Sequence, residues 1–189
     1  YTTSKFLDTR AFPVLVRRLK NLQDFDKSVL SDYSRAIAAI LSYSNELKDF
    51  FIDSVDFWKT KLIETDDESF IVPCLCCLLQ FPYDKSLIPH LSLLTEHKSY
   101  RIRTLSHLLL GKMSVILELP IQKISNEESP LCRAALISRM TPLFNNNPHM
   151  ELFYDLFINL NDAFSFVRDE TLKVLSHAIM LDNSFCGRF

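Results

Sequence analysis

The side chains with the capacity for chemistry are present in this chain, but not in the company that chemistry requires. The five histidines, at 90, 97, 107, 149 and 177, have no partner at ligand spacing. No His-Glu-x-x-His motif occurs, and no cysteine pair repeats at zinc-site spacing. His107 and His177 fall inside apolar runs, where an imidazole bonded to a neighbouring carbonyl is the ordinary outcome. Three of the five cysteines, at 74, 76, 77, 132 and 186, crowd one helix turn within Phe70 to Leu79. Neighbours on one turn point apart and miss disulfide geometry, so they read as small core residues in a reducing compartment. The acidic run Asp66-Asp67-Glu68 has the charge to hold a cation. It stands before a helix start, however, where carboxylates cap free N–H groups and complement the dipole. No catalytic residue, cofactor-binding residue or metal ligand is therefore assigned, and the chain reads as a non-enzyme with no small-molecule substrate.

What remains is charge recognition. Arg35, Arg103, Arg133 and Arg168 each stand near the start of a helix. Equivalent positions in a stacked array line up, so these arginines either face an acidic ligand or pair with acids in the turns. Glu127 and Asp162 stand six residues before Arg133 and Arg168, the spacing that favours the second role. Lys98 and Arg101 add charge to the turn before Arg103.

The elements that must position these groups follow from composition and period. Of 189 residues, 48% are hydrophobic and two are glycine, Gly111 and Gly187. A glycine-rich phosphate loop is thus excluded, as are the many tight turns of a β-rich fold. The net charge of −2 lacks the basic excess of a protein that wraps nucleic acid. No apolar run is long enough to cross a bilayer, and nothing resembles a signal peptide, so no membrane insertion is expected. Starting on Tyr1 and stopping at Phe189 after a helical run, the chain reads as a fragment of a longer, intracellular protein, cytoplasmic or nuclear.

Five helix starts recur at corresponding places: Tyr33-Ser34-Arg35-Ala36, Ile71-Val72-Pro73-Cys74, Arg101-Ile102-Arg103-Thr104, Leu131-Cys132-Arg133-Ala134 and Phe166-Val167-Arg168-Asp169. Their second residues step from 34 to 72, 102, 132 and 167, the period of stacked helix pairs. Pro13 opens a helix to about Leu22, and a long helix spans about 28–43. Asn45 caps a short helix, and Asp53-Ser54 starts another through Ile63. Thr65 to Glu68 then caps a helix from about 69 to 81, in which Pro73 must lie in the first turn. From Asp84 onward helix pairs are expected at about 87–97 with 100–113, 114–125 with 129–144, and 150–160 with 164–181. Four residues beyond each second residue stand Ala38, Cys76, Ser106, Leu136 and Thr171, mostly small, as close crossings demand. Ile37, Ile40, Leu41, Leu75, Leu78, Leu79, Leu105, Leu108, Leu109, Leu136, Val167, Leu172 and Leu175 form the expected core.

Residues 45–82 resemble an armadillo repeat in the order short helix, second helix, acidic turn, long apolar third helix, and residues 1–44 do so more loosely. Met150 to Asp162 followed by Phe166-Val167-Arg168 looks like a HEAT repeat, with an Asp in the turn and a Val-Arg pair opening the second helix. His97 stands in place of the acid before Arg103, and Pro73 in place of an arginine. The resemblance implies an all-α, right-handed α-solenoid of about five repeats: one domain over 1–189, armadillo-like over 1–83 and HEAT-like over 84–189. It also implies a non-catalytic scaffold that binds a protein segment, an extended peptide or a helix, along the surface of the stacked last helices. Arg35, Tyr43, Arg103 and His107 are the expected contacts, with an acidic partner suited to them, and Lys98 and Arg101 the next nearest. Armadillo proteins that bind nuclear import signals resemble one another in a Trp and an Asn on successive third helices, and 35–42 and 73–80 contain neither. Tubulin-binding HEAT domains and nucleic-acid-associated HEAT scaffolds are the alternative readings. Trp58 lies within a helix rather than a turn, and Asp66 to Glu68 has the wrong sign for acidic tubulin.

Overall fold

Asp67 and Ser129 each cap the helix that follows them. The computed structural model describes residue 14 and residues 27–43, 48–82, 84–114, 122–146 and 150–181. Among them every regular element is a helix or a 3-10 turn. The chain divides into two compact units, Tyr1–Tyr83 and Asp84–Phe189. The expected helix opened by Pro13 and the Asn45 cap lie outside the described residues.

In the first unit α1 spans Lys27–Tyr43. α2 (Lys48–Phe51) runs through a 3-10 turn, Ile52–Ser54, into α3 (Val55–Glu64), and α4 covers Glu68–Leu78. Asp67 caps α4, its carboxylate accepting the Ser69 N–H at 2.9 Å. That is the structural use of the acidic run. α4 packs against α1 and α3, burying Ile37, Leu41, Trp58, Leu62, Phe70, Cys74, Leu75 and Cys77. Small residues let α1 and α4 approach closely: the Cys77 thiol donates to the Ser34 carbonyl at 3.1 Å. Cys74, Cys76 and Cys77 are free thiols, and burial pushes Cys74 up to about 12.

Pro73 corrects an expectation. It lies inside α4, beyond the first turn, and cannot donate to the Ser69 carbonyl four residues back. Ser31 Oγ of α1 donates to that carbonyl instead, at 2.7 Å. A neighbouring helix thus supplies the bond that proline removes.

In the second unit a 3-10 turn, Lys85–Leu87, leads into α5 (Ile88–Leu94), followed by α6 (Tyr100–Lys112). α7 (Gln122–Asn126), α8 (Pro130–Ser138) and α9 (Thr141–Asn146) come next. α10 (Met150–Leu156) continues as a 3-10 turn, Phe157–Asn161, before α11 (Ser165–Leu181). The helix expected over 129–144 is broken at Arg139-Met140: Pro142 has no N–H to donate to the Ser138 carbonyl four residues back, and Thr141 Oγ1 donates to that carbonyl instead, at 2.9 Å. α6 packs against α5 and α8, and α8 in turn against α11. Gly111 permits the α6–α8 approach, since a Cβ there would lie 3.3 Å from the Arg139 Cα. Cys132, Leu136, Ile137, Met140, Phe153, Leu156, Val167, Val174 and Ala178 form one continuous core. Most of the expected core column is buried, with Ile40, Leu79, Leu105 and Leu108 half-buried. Leu172 is the exception: it is 51% exposed, because among the described residues nothing packs on that face of α11.

Candidate functional site

The turn before each second helix of the later unit is built three times on one plan. His97 Nδ1 accepts the Ser99 N–H at 3.0 Å, Glu127 Oε1 that of Ser129 at 2.9 Å, and Asp162 Oδ1 that of Phe164 at 2.9 Å. Six residues on, an arginine reaches back. Arg103 Nη1 donates to the carbonyls of His97 and Lys98, both at 2.9 Å. Arg133 does the same to Glu127 and Glu128 at 2.8 and 3.1 Å, and Arg168 to Asp162 and Ala163 at 2.7 and 3.1 Å. Carbonyls that would otherwise be orphaned at the helix entry are satisfied by a fixed charge.

The other edge of each guanidinium faces the next turn. Arg103 grips Glu127 through Nε and Nη2 at 2.9 and 2.6 Å, and Arg133 grips Asp162 at 2.8 and 3.2 Å. Six-residue spacing thus marks backbone capping, while the carboxylate belongs to the arginine one pair earlier. Burial alone would raise Glu127, but the bonds from Arg103 and the Ser129 N–H outweigh it and hold the carboxyl at about 2. Arg133 and the Phe164 N–H lower Asp162 against the same opposing burial.

These contacts settle where the expected site residues stand. Arg103 is engaged in the ladder. His107 is 1% exposed, so it is no surface contact: its Nδ1 lies 3.1 Å from Arg139 Nη1, across the α6–α8 interface. Arginine only donates, so Nδ1 must be the acceptor and the imidazole neutral. Burial first, and the charge of Arg139 second, push His107 down to about 3. Burial also lowers Arg139 to about 10, which leaves it protonated near neutral pH. Among the described residues its Nε and Nη2 have no hydrogen-bond partner. Nothing in the sequence marks this pair except an arginine within an apolar run. Lys98 and Arg101 are exposed beside the Arg103 turn, and the Arg101 guanidinium lies 5.9 Å from the Tyr100 ring centroid. Arg35 is exposed on α1, in the other unit. The Tyr43 side chain lies outside the described set.

One surface was anticipated only at its first end, by Lys98 and Arg101. The position two residues before each ladder arginine is occupied by Arg101, Leu131 and Phe166, and all three are exposed, Leu131 by half. Tyr100 and Phe164 are exposed next to them, and the Phe164 and Phe166 rings pack with centroids 5.8 Å apart. The Arg103–Glu127 and Arg133–Asp162 bonds hold the three turns side by side, so these residues share one edge. The signal was readable in the sequence, because a core-facing helix start has no need of an apolar residue at that place in successive pairs. No protein-family model, curated protein or solved structure matches this chain.

Proposed function

We propose that this chain is a non-catalytic, protein-binding helical-repeat scaffold, an α-solenoid of armadillo- and HEAT-like units, whose contact surface in Asp84–Phe189 is the turn edge. The observation that carries the reading is the recurrence of exposed Leu131 and Phe166 two places before a ladder arginine. Single exposed apolar residues are ordinary, but apolar side chains repeated at one register position on cross-linked turns make a contiguous, preorganised patch. Arg101 and Lys98 give its first end a positive charge, which suits an extended segment or helix with apolar anchors and an acidic end.

The proposal places the contact on the turn edge rather than on the last-helix face, because Arg103 and His107 are already engaged within the fold. Its test uses a photo-reactive phenylalanine analogue at position 131 or 166, with the exposed Leu93 of α5 as the control position. A polypeptide cross-linked from 131 and 166, not from 93, and lost in Leu131→Asp with Phe166→Asp at unchanged melting temperature, is the expected result. Lys98→Glu with Arg101→Glu should weaken capture at low salt and have less effect at high salt. Equal capture from all three positions would remove the turn edge as the site.

A further inference from the structure

Arg103, Arg133 and Arg139 divide their guanidinium donors in the same way. In the first two, Nη1 donates to uncharged backbone carbonyls, and the Nε and Nη2 edge grips a carboxylate. Arg139 matches them in the first half alone. Its Nη1 donates to the neutral His107 Nδ1, and among the described residues nothing accepts from Nε or Nη2.

That edge does not face solvent. Arg139 is 4% exposed, and both nitrogens are shut off from water. Its charge persists, because burial lowers its pKa only to about 10. Among the described groups burial is the one influence on Arg139, whereas the bond to Glu127 leads those that raise Arg103. A buried guanidinium with a neutral partner and two unmet donors is costly. A water would accept a bond there but would bring no opposite charge.

The fork is also held in place. Gly111 lets the backbone of α6 lie against the arginine stem, since a Cβ there would fall 3.3 Å from the Arg139 Cα and 3.6 Å from its Cγ. His107, on the same helix, fixes the far end at 3.1 Å. Two donors fixed from both ends are preorganised for a planar acceptor that takes both bonds at once.

We propose that the Nε and Nη2 edge of Arg139, enclosed at the α6–α8 interface, binds a small planar oxyanion of the carboxylate class. The anion stands to Arg139 as Glu127 stands to Arg103 and Asp162 to Arg133, and it ties the stability of this interface to the concentration of a free ion. The site is separate from the turn edge and does not depend on it.

Formate is the probe, titrated into the whole chain at constant ionic strength against gluconate, an anion too bulky for an enclosed site. The readout is the Nε–H resonance of each arginine in isotope-edited NMR spectra, assigned by substitution. The Arg139 signal should move along a saturable one-site curve with formate and stay still with gluconate. Arg103 and Arg133, whose forks are filled, should stay still with both. Once formate exceeds its Kd, each tenfold increase should lower the unfolding equilibrium constant about tenfold, measured in urea. Arg139→Met should abolish that stabilisation, with thermal melts showing the variant folded. Should it fail to fold, Arg139→Lys retains the charge, loses the fork and should lose most of the response. A shift that never saturates would mark an adventitious ion only and overturn the proposal, as would equal stabilisation by gluconate or a formate effect undiminished in the folded variant. A response that appears only after Glu118→Gln, the acid between α6 and α7 in the sequence, would overturn it by giving the fork to a side chain of the same molecule.

Discussion

Arg133 satisfies two backbone carbonyls of its own turn and one carboxylate of the next with a single planar group, which lysine, a compact point charge, cannot reproduce. Removing the acid leaves the guanidinium half-unpaired at a site where both side chains are mostly shielded from water. It also removes the acceptor for the Phe164 N–H. Asp162→Ala should therefore cost about 1 to 3 kcal/mol, more than an exposed surface pair, measured by chemical denaturation. A change within error of zero would show that solvent replaces both bonds. Arg139 presents the opposite case: a buried cation with one neutral partner among the described residues contributes little net stability, yet breaking that contact leaves the charge with none of them.

Helices are where the sequence was most legible and where its failures are most informative. The cap at Asp67 and the spacing of helix starts were readable because each is set by residues within a few places of one another. The rescue of Pro73 was not, since Ser31 stands 38 positions away. Ser31→Ala should cost about 1 to 3 kcal/mol by orphaning the Ser69 carbonyl. In the background of Pro73→Ala, which restores the missing N–H, the same change should cost less. Equal costs in both backgrounds would deny that the two residues share one carbonyl. The ladder was half legible: six-residue spacing revealed an acid and an arginine in one turn, but which arginine takes the carboxylate depends on how turns stack. Leu172 was misplaced for a similar reason. Helical period gives equivalence with Ile137 but does not show whether another element follows. Ile137→Ala should therefore cost about 2 to 4 kcal/mol, while Leu172→Ala in this chain should fall within about 0.5 kcal/mol of zero. A large loss at Leu172 would mean that the face is covered.

Among the described residues, proton linkage is unevenly distributed between the two units. His107, Glu127 and Asp162 all lie in Asp84–Phe189, and all are held below their ordinary values. The folded chain keeps His107 neutral down to about 3, whereas the unfolded chain takes up a proton near 6.5. Its contribution is complete above pH 6.5 and is lost progressively as pH falls toward 3. Glu127 adds a loss of the same sign between 4.5 and about 2. In Tyr1–Tyr83 the core is built around Trp58, Cys74 and Cys77, side chains that take up no proton in this range. Their linkage lies on the alkaline side, where Cys74, raised from 9.0 to about 12, resists an ionisation open to the unfolded chain. Acid should therefore loosen the later unit first. Hydrogen exchange measured between pH 6.5 and 3, corrected for intrinsic rates, should show α6 and α8 losing protection before α1 and α4. His107→Gln keeps an acceptor for Arg139 but no titrating imidazole, so it should move the onset of that loss to lower pH, into the range of Glu127. Simultaneous loss in both units, or loss in α1 and α4 first, would mean that acid sensitivity is set by something other than the buried imidazole and the ladder.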